Sequence, residues 1–397
     1  MTWRTLTLAA AVLLAACSGQ PAKVAVDDLP SSPLSVEWRK QLGTGSGSVF
    51  SRLRAVVEDN RIYAADTSGA VTALELDSGS TIWSIQLDKQ IGSAMTKVDD
   101  TLYVVTYDGV IHALSAEDGS SKWEAHLSSE SVAPVGADSE RVFVHTVDGR
   151  IAALDAADGK QLWSYETSMP VLTVRGTGTP MPVDGLVITG LANGKVIALD
   201  RELGIPRWEA RLAMPEGRSE LDRLVDVDGT VYLEDNLVYA ASYHGKVAAI
   251  GLDGNTRWEE DGSSYTSPEL ALGNVYLTLD DGRIQAYDQA TGNGIWTQVD
   301  LKDKALGPIT ASGNHLAVAD SDGYLYLLNQ QDGSLAARIW LRPRPLHINY
   351  PNQSEATRWR EMRGRDFGIR NPIIATDKGL LVYTNDGEML LLEIRSE

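Results

Sequence analysis

Val142-Phe143-Val144-His145-Thr146-Val147-Asp148-Gly149-Arg150-Ile151-Ala152-Ala153-Leu154-Asp155-Ala156-Ala157-Asp158-Gly159-Lys160-Gln161-Leu162-Trp163 decides the fold. Two alternating apolar runs flank one Asp-Gly, and a second Asp-Gly leads into a run that carries a tryptophan. Asp-Gly between period-2 runs marks a β-hairpin and predicts a type I′ turn, with positive φ at both central residues. The first turn recurs at Ser68-Gly69, Asp108-Gly109, Asn193-Gly194, His244-Gly245, Asp281-Gly282, Asp322-Gly323 and Asp386-Gly387, which with Asp148-Gly149 makes eight copies. The second recurs at Ser78-Gly79, Asp118-Gly119, Leu203-Gly204, Asp253-Gly254, Thr291-Gly292 and Asp332-Gly333, and no copy follows Leu390-Leu391-Leu392.

Tryptophans keep the same beat, at Trp38, Trp83, Trp123, Trp163, Trp208, Trp258, Trp296 and Trp340, 38 to 50 residues apart. A period near 40 residues with four short strands each is the mark of a β-propeller. Trp38 has a strand but no hairpin before it, and the eighth hairpin has no tryptophan strand after it. The N-terminal strand therefore completes the last blade and closes the ring, leaving no open end to cap. The expected fold is all-β, an eight-bladed propeller of four-stranded antiparallel blades. One blade reads as strands at 308–312, 316–319, 324–328 and 336–341. The tryptophans are expected to pack between blades, where a large ring buries the most apolar area.

The N-terminus reads as a processing signal: Arg4, an apolar run from Leu6 to Leu14, then Ala15-Ala16-Cys17. That run is too short to span a bilayer. Leu14-Ala15-Ala16-Cys17 resembles the lipobox of bacterial lipoproteins, and Cys17 is the only cysteine of 397 residues. The expected division is a signal peptide at 1–16, a lipidated Cys17 with a flexible tether at 17–33, and the propeller at 34–397. Ser18 and Gly19 in place of an aspartate resemble the sorting signal for the outer membrane. A lone cysteine excludes internal disulfides, a cysteine nucleophile within the propeller and Cys-ligated metal. The net charge of −19 argues against nucleic-acid binding, which needs a basic surplus.

The residue after each tryptophan is never aspartate, which disfavours the WD-type repeat. The run Ala-Leu-Asp-x-x-x-Gly-x-x-x-Trp, clear at Ala153 to Trp163 and looser at Ala73 to Trp83 and Ala113 to Trp123, resembles the repeat of pyrroloquinoline quinone enzymes. Within that superfamily, a lipobox followed by a single eight-bladed ring resembles the BamB family, lipoprotein subunits of the outer-membrane β-barrel assembly machinery. Two stretches carry the likeness further, Leu172-Thr173-Val174-Arg175-Gly176 and Glu220 to Asp228. Val174 stands where the family often has leucine, and Gly229-Thr230-Val231 replaces the usual Thr-Thr-Pro. The resemblance implies a non-catalytic scaffold without cofactor, lipid-anchored at the outer membrane and facing the periplasm. It implies BamA as direct partner through its periplasmic POTRA domains, beside the other assembly subunits and unfolded outer-membrane protein substrates. It assigns the contact to Leu172, Val174, Arg175, Asp226 and Asp228; an internal Arg175 bond to one of the two aspartates is the competing reading.

Two other functions stand beside it: a quinone-dependent dehydrogenase and a ligand-binding propeller. His112, His126, His145, His244, His315 and His347 show no metal-ligand spacing. Gly190 to Lys195 lacks the spacing of a phosphate loop, Asp226 to Gly229 lacks the later ligands of a calcium loop, and no Gly-x-Ser-x-Gly is present. Three links exceed the repeat, at 164–184, 210–235 and 342–371, each joining a last strand to the next first strand. All three must lie on one face of the disc, where binding loops on rigid scaffolds tend to sit. From Arg342 to Arg370 there are seven arginines, no lysine and a local charge of +4. Ser354 caps an expected helix over 355–362, and the arginines suit either a protein interface or a cover over an acidic funnel.

Overall fold

The computed structural model describes residues 25–46, 53–170, 172–173, 177–219, 221–341 and 368–395. The expected signal peptide, Cys17, the first part of the tether, and the arginine-rich stretch through residue 367, with its helix from Glu355, lie outside them. Eight four-stranded antiparallel sheets form the ring. Blade one comprises Val56–Glu58, Arg61–Ala65, Ala70–Glu75 and Thr81–Gln86. Blade eight is built from both ends of the chain, with Leu34–Gln41 pairing Glu388–Ile394 from Leu34↔Ile394 to Gln41↔Glu388. The closure read from the orphaned strand and hairpin is the observed one.

Within a blade the second and third strands are buried on both faces, so Ile62, Leu74, Val104, Ile111 and Val144 are sealed from water. The outermost strands alternate, as in Thr81–Gln86, because one face packs inward and the other meets solvent. The hairpins lie where the sequence places them, but their turns are not type I′. In the first blade Asp66 N–H donates to Ala70 O and Gly69 N–H to Asp66 O, and only Gly69 has positive φ, at 102°. This is a longer loop with its left-handed residue at the glycine end. In blade five the left-handed place is taken by His244, φ 50°.

Seven tryptophans dock onto the next blade by one device. The indole N–H donates to a carbonyl there: Trp38 to Leu76, Trp83 to Ala116, Trp123 to Ala156, Trp163 to Arg201, Trp208 to Leu252, Trp258 to Gln289 and Trp296 to Gln330. Each ring lies over the glycine of that blade's last turn. A Cβ on Gly159 would sit 2.6 Å from Trp123 Cε3, and on Gly333 2.4 Å from Trp296 Cε3. The repeat thus couples a tryptophan in one blade to a glycine in the next.

Trp340 breaks the expectation that all eight pack between blades. Ala337, fully buried, holds the docking register opposite Leu327, as Trp123 does opposite Ala113. Blade eight is where the chain ends meet, so it has no last turn and no glycine to receive an indole. Trp340, three residues on, is 46% exposed and bonds within its own blade to Asp322 O at 3.1 Å. The open junction is strapped instead by the segment before the first strand. Arg338 N–H donates to Pro30 O at 2.9 Å, and the Arg338 guanidinium pairs with Asp27 at 2.7 Å while lying 4.9 Å over the Tyr324 ring.

Candidate partner-binding face

The chain enters each link beside the hairpin turn of the same blade: Leu87 N–H donates to Gly69 O, Leu127 to Gly109 O, Thr167 to Gly149 O and Leu212 to Gly194 O, all at 2.8 Å. The links and these turns therefore share one face, as the strand count requires. On the link before blade four, His145 of blade three is fully buried with Nδ1 3.2 Å from Gly178 O. Burial pushes its imidazole down to about 4, so it is neutral at physiological pH and its N–H pins the link.

The link before blade five turns inward. Val225, Asp226, Val227 and Val231 are all buried, and Asp226 is fully so. Val227 N–H donates to Leu191 O at 3.2 Å, and Tyr243 N–H to Asp226 O at 2.9 Å, which stitches the segment between blades four and five. Gly190 is required there, since a Cβ would lie 2.2 Å from Val227 O. Gly229 passes close to Thr266 and Ser267, whose Oγ accepts Thr230 N–H at 2.8 Å.

The sequence-predicted residues therefore divide. Leu172 is 45% exposed on the face. Asp226 and Asp228 are carried together on the inward segment, buried beneath the surface rather than presented on it, and Asp228 lines the central channel. Val174 and Arg175 lie outside the described residues. The face carries apolar groups that the motif reading missed: Met169 beside Leu172 on one link, and Met214 and Leu221, each about two-thirds exposed, on the next. Their only signal is that large apolar residues stand in links outside the strand period.

Met214 also borders a groove of about 600 Å³ with Arg211, Glu216, Asp222, His244 and Glu259. His244 stacks on Tyr243 with ring centroids 3.9 Å apart. The Ser219 hydroxyl, with its backbone N–H, holds the Asp222 carboxyl below its usual range, and His244 adds to the effect. On the opposite face, blades three and four are joined by Arg201, which pairs with Asp138 at 2.8 Å and Glu140 at 2.9 Å. The face is an apolar, charge-rimmed surface on a stiff ring, the composition of a protein-binding surface.

The quinone resemblance can be tested on the donor set. The carboxylates lining the central channel are Asp228 and Glu269, and among the described residues no group of three His, Cys, Asp or Glu is placed to hold a cation. These residues do not fit a metal-assisted quinone site.

An eight-bladed ring with a shared last blade and long links on one face defines a β-propeller of the quinone-enzyme repeat type. A family model described as "Outer membrane protein assembly factor BamB" matches residues 35–136 and 95–298. The outer membrane protein assembly factor BamB of Pseudomonas aeruginosa is 45% identical over 77% of this chain and 80% of its own length. That of Kangiella koreensis is 38% identical over 99% of this chain and 96% of its own. The crystal structure of BamB from Moraxella catarrhalis superposes with a TM-score of 0.78 at 27% identity, covering 91% of this chain and 99% of that one. A quinohemoprotein alcohol dehydrogenase from Comamonas testosteroni shares the fold at 14% identity, with a TM-score of 0.65 over 92% of this chain and 77% of its own. The chain belongs to the BamB family of outer membrane protein assembly factors.

Proposed function

We propose that this protein is the propeller subunit of an outer-membrane β-barrel assembly complex, a non-catalytic scaffold that binds BamA through its periplasmic POTRA domains. Cys17 carries the lipid that ties it to the outer membrane, and the ring faces the periplasm. Family membership over nearly the whole chain supports the assembly role. The observation that carries the binding mode is the row of exposed apolar side chains, Met169, Leu172, Met214 and Leu221, on two adjacent links of one face. Leu172, Val174 and Arg175 form the contact, and Asp226 and Asp228 shape it from beneath, since their burial keeps them from touching a partner directly.

Magnitudes separate a binding from a stitching role for Arg175. An exposed ion pair contributes only ~0–1 kcal/mol to stability, whereas close charge pairs across an interface couple by roughly 1.5–7 kcal/mol. Arg175→Glu is expected to weaken binding to purified POTRA domains by at least about tenfold, ~1.4 kcal/mol, with the melting temperature nearly unchanged. Binding retained alongside a melting point lower by several degrees would make the residue structural and remove it from the contact.

A further inference from the structure

The centre of the ring is a cavity of about 610 Å³ to which all eight blades contribute. That volume lies in the ~300–1,000 Å³ range of small-molecule sites. Its walls are mainly alanine, proline, isoleucine and threonine, with few charged groups: Arg54, Asp228 and Glu269. Arg54 enters from blade one, just ahead of Val56–Glu58. Its charge nevertheless acts on Tyr232 and Glu269, which open the inner strands of blades five and six on the far side of an eight-membered ring. The guanidinium therefore projects into the lumen rather than along its own wall.

Glu269 does not neutralise it by direct contact. Its Oε1 accepts the Ala311 N–H at 2.9 Å, and burial pushes its carboxyl up, against the pull of Ala311 and Arg54. Among the described residues no carboxylate stands at ion-pair distance from Arg54. Arg54 is exposed in the open lumen, where it also hydrogen-bonds Tyr232; a ligand whose apolar body lines the walls would cover that charge, which favours one that brings its own anion. Hydroxyls also line the channel: Thr179 Oγ1 and Thr230 Oγ1 lie 3.2 Å apart across blades four and five.

We propose that the central channel is a binding site for a small amphipathic carboxylate, its hydrocarbon body against the alanine, proline and isoleucine walls and its head group on Arg54. The site lies in the lumen, which the links of the partner face reach through Thr177, Asp228 and Thr230, and it does not depend on the assembly role. Decanoate, decylammonium and acetate, titrated calorimetrically into the mature protein, distinguish the contributions of head group and tail. Decanoate is expected to bind once per chain, decylammonium at least tenfold more weakly, and acetate without measurable saturation. Arg54→Leu is expected to weaken decanoate at least tenfold without lowering the melting temperature. Ala375→Trp, at an exposed lumen position on blade eight, fills the cavity with Arg54 retained and is expected to abolish binding. The proposal is overturned if wild-type protein shows no saturable decanoate binding, if decylammonium binds equally well, or if folded Arg54→Leu and Ala375→Trp variants bind decanoate as the wild type does.

Discussion

A chain lacking residues 34–42 is expected to aggregate, or to melt more than about 10 °C below the parent. The deleted strand pairs with Glu388–Ile394 along its whole length, so its loss bares that edge and the apolar floor formed by Leu390 and Leu392. It also removes Trp38, whose indole donates to Leu76 O at 2.8 Å and covers Gly79 of blade one. Losing a packed tryptophan alone costs about 3–5 kcal/mol, and the lost ladder adds to it. The total is comparable with the ~5–15 kcal/mol by which a domain is stable, and at roughly 2–4 °C per kcal/mol the shift is large. The newly exposed strand edges are templates for pairing with other chains. A soluble variant with unchanged melting would refute closure by the shared blade.

The second large effect concerns the coupling of tryptophan to glycine. Trp123→Ala is expected to cost about 3–5 kcal/mol by urea denaturation, since the indole loses both its packing between blades two and three and its bond to Ala156 O. Gly159→Ala is expected to cost about 1–3 kcal/mol from its φ of +75° alone, with the clash on Trp123 Cε3 in addition. Combining the two removes the clash, so the double variant should be more stable than the sum of singles predicts, by at least ~0.5 kcal/mol. Trp340→Ala, outside the docking register, should cost much less than Trp123→Ala. Strict additivity, or equal costs at Trp123 and Trp340, would contradict the docking account.

Most of this architecture is legible in the sequence because a propeller repeats its instructions. Each Asp-Gly, each apolar alternation and each tryptophan is weak alone, but eight copies at a common period leave few alternatives, and two orphaned fragments specify the closure. What is not legible depends on contacts between repeats. Trp340 keeps the period within a few residues yet misses the docking register, because its receiving glycine would lie in a turn that the chain ends interrupt. The hairpins exist where read, but their turn type follows from backbone bonds such as Asp66 N–H to Ala70 O, which the Asp-Gly pair does not determine.

The face was legible as topology rather than chemistry. Counting strands puts the long links on one side, yet the burial of Asp226 depends on Gly190, at the end of the strand Leu186–Gly190, admitting the Val227 backbone of the next link, a contact outside any repeating frame. Met214 and Leu221 follow no motif, so only their exposure marks them. Arg54 shows the same limit: nothing local to residue 54 says that it faces blades five and six across the lumen.

Co-purification tests the assembly role most directly. The full-length protein carrying a C-terminal affinity tag, recovered from detergent-solubilised membranes of its own host, is expected to bring down BamA and the other assembly subunits in stoichiometric amounts. Recovery of the intact, folded propeller with no barrel-assembly subunit would contradict the account.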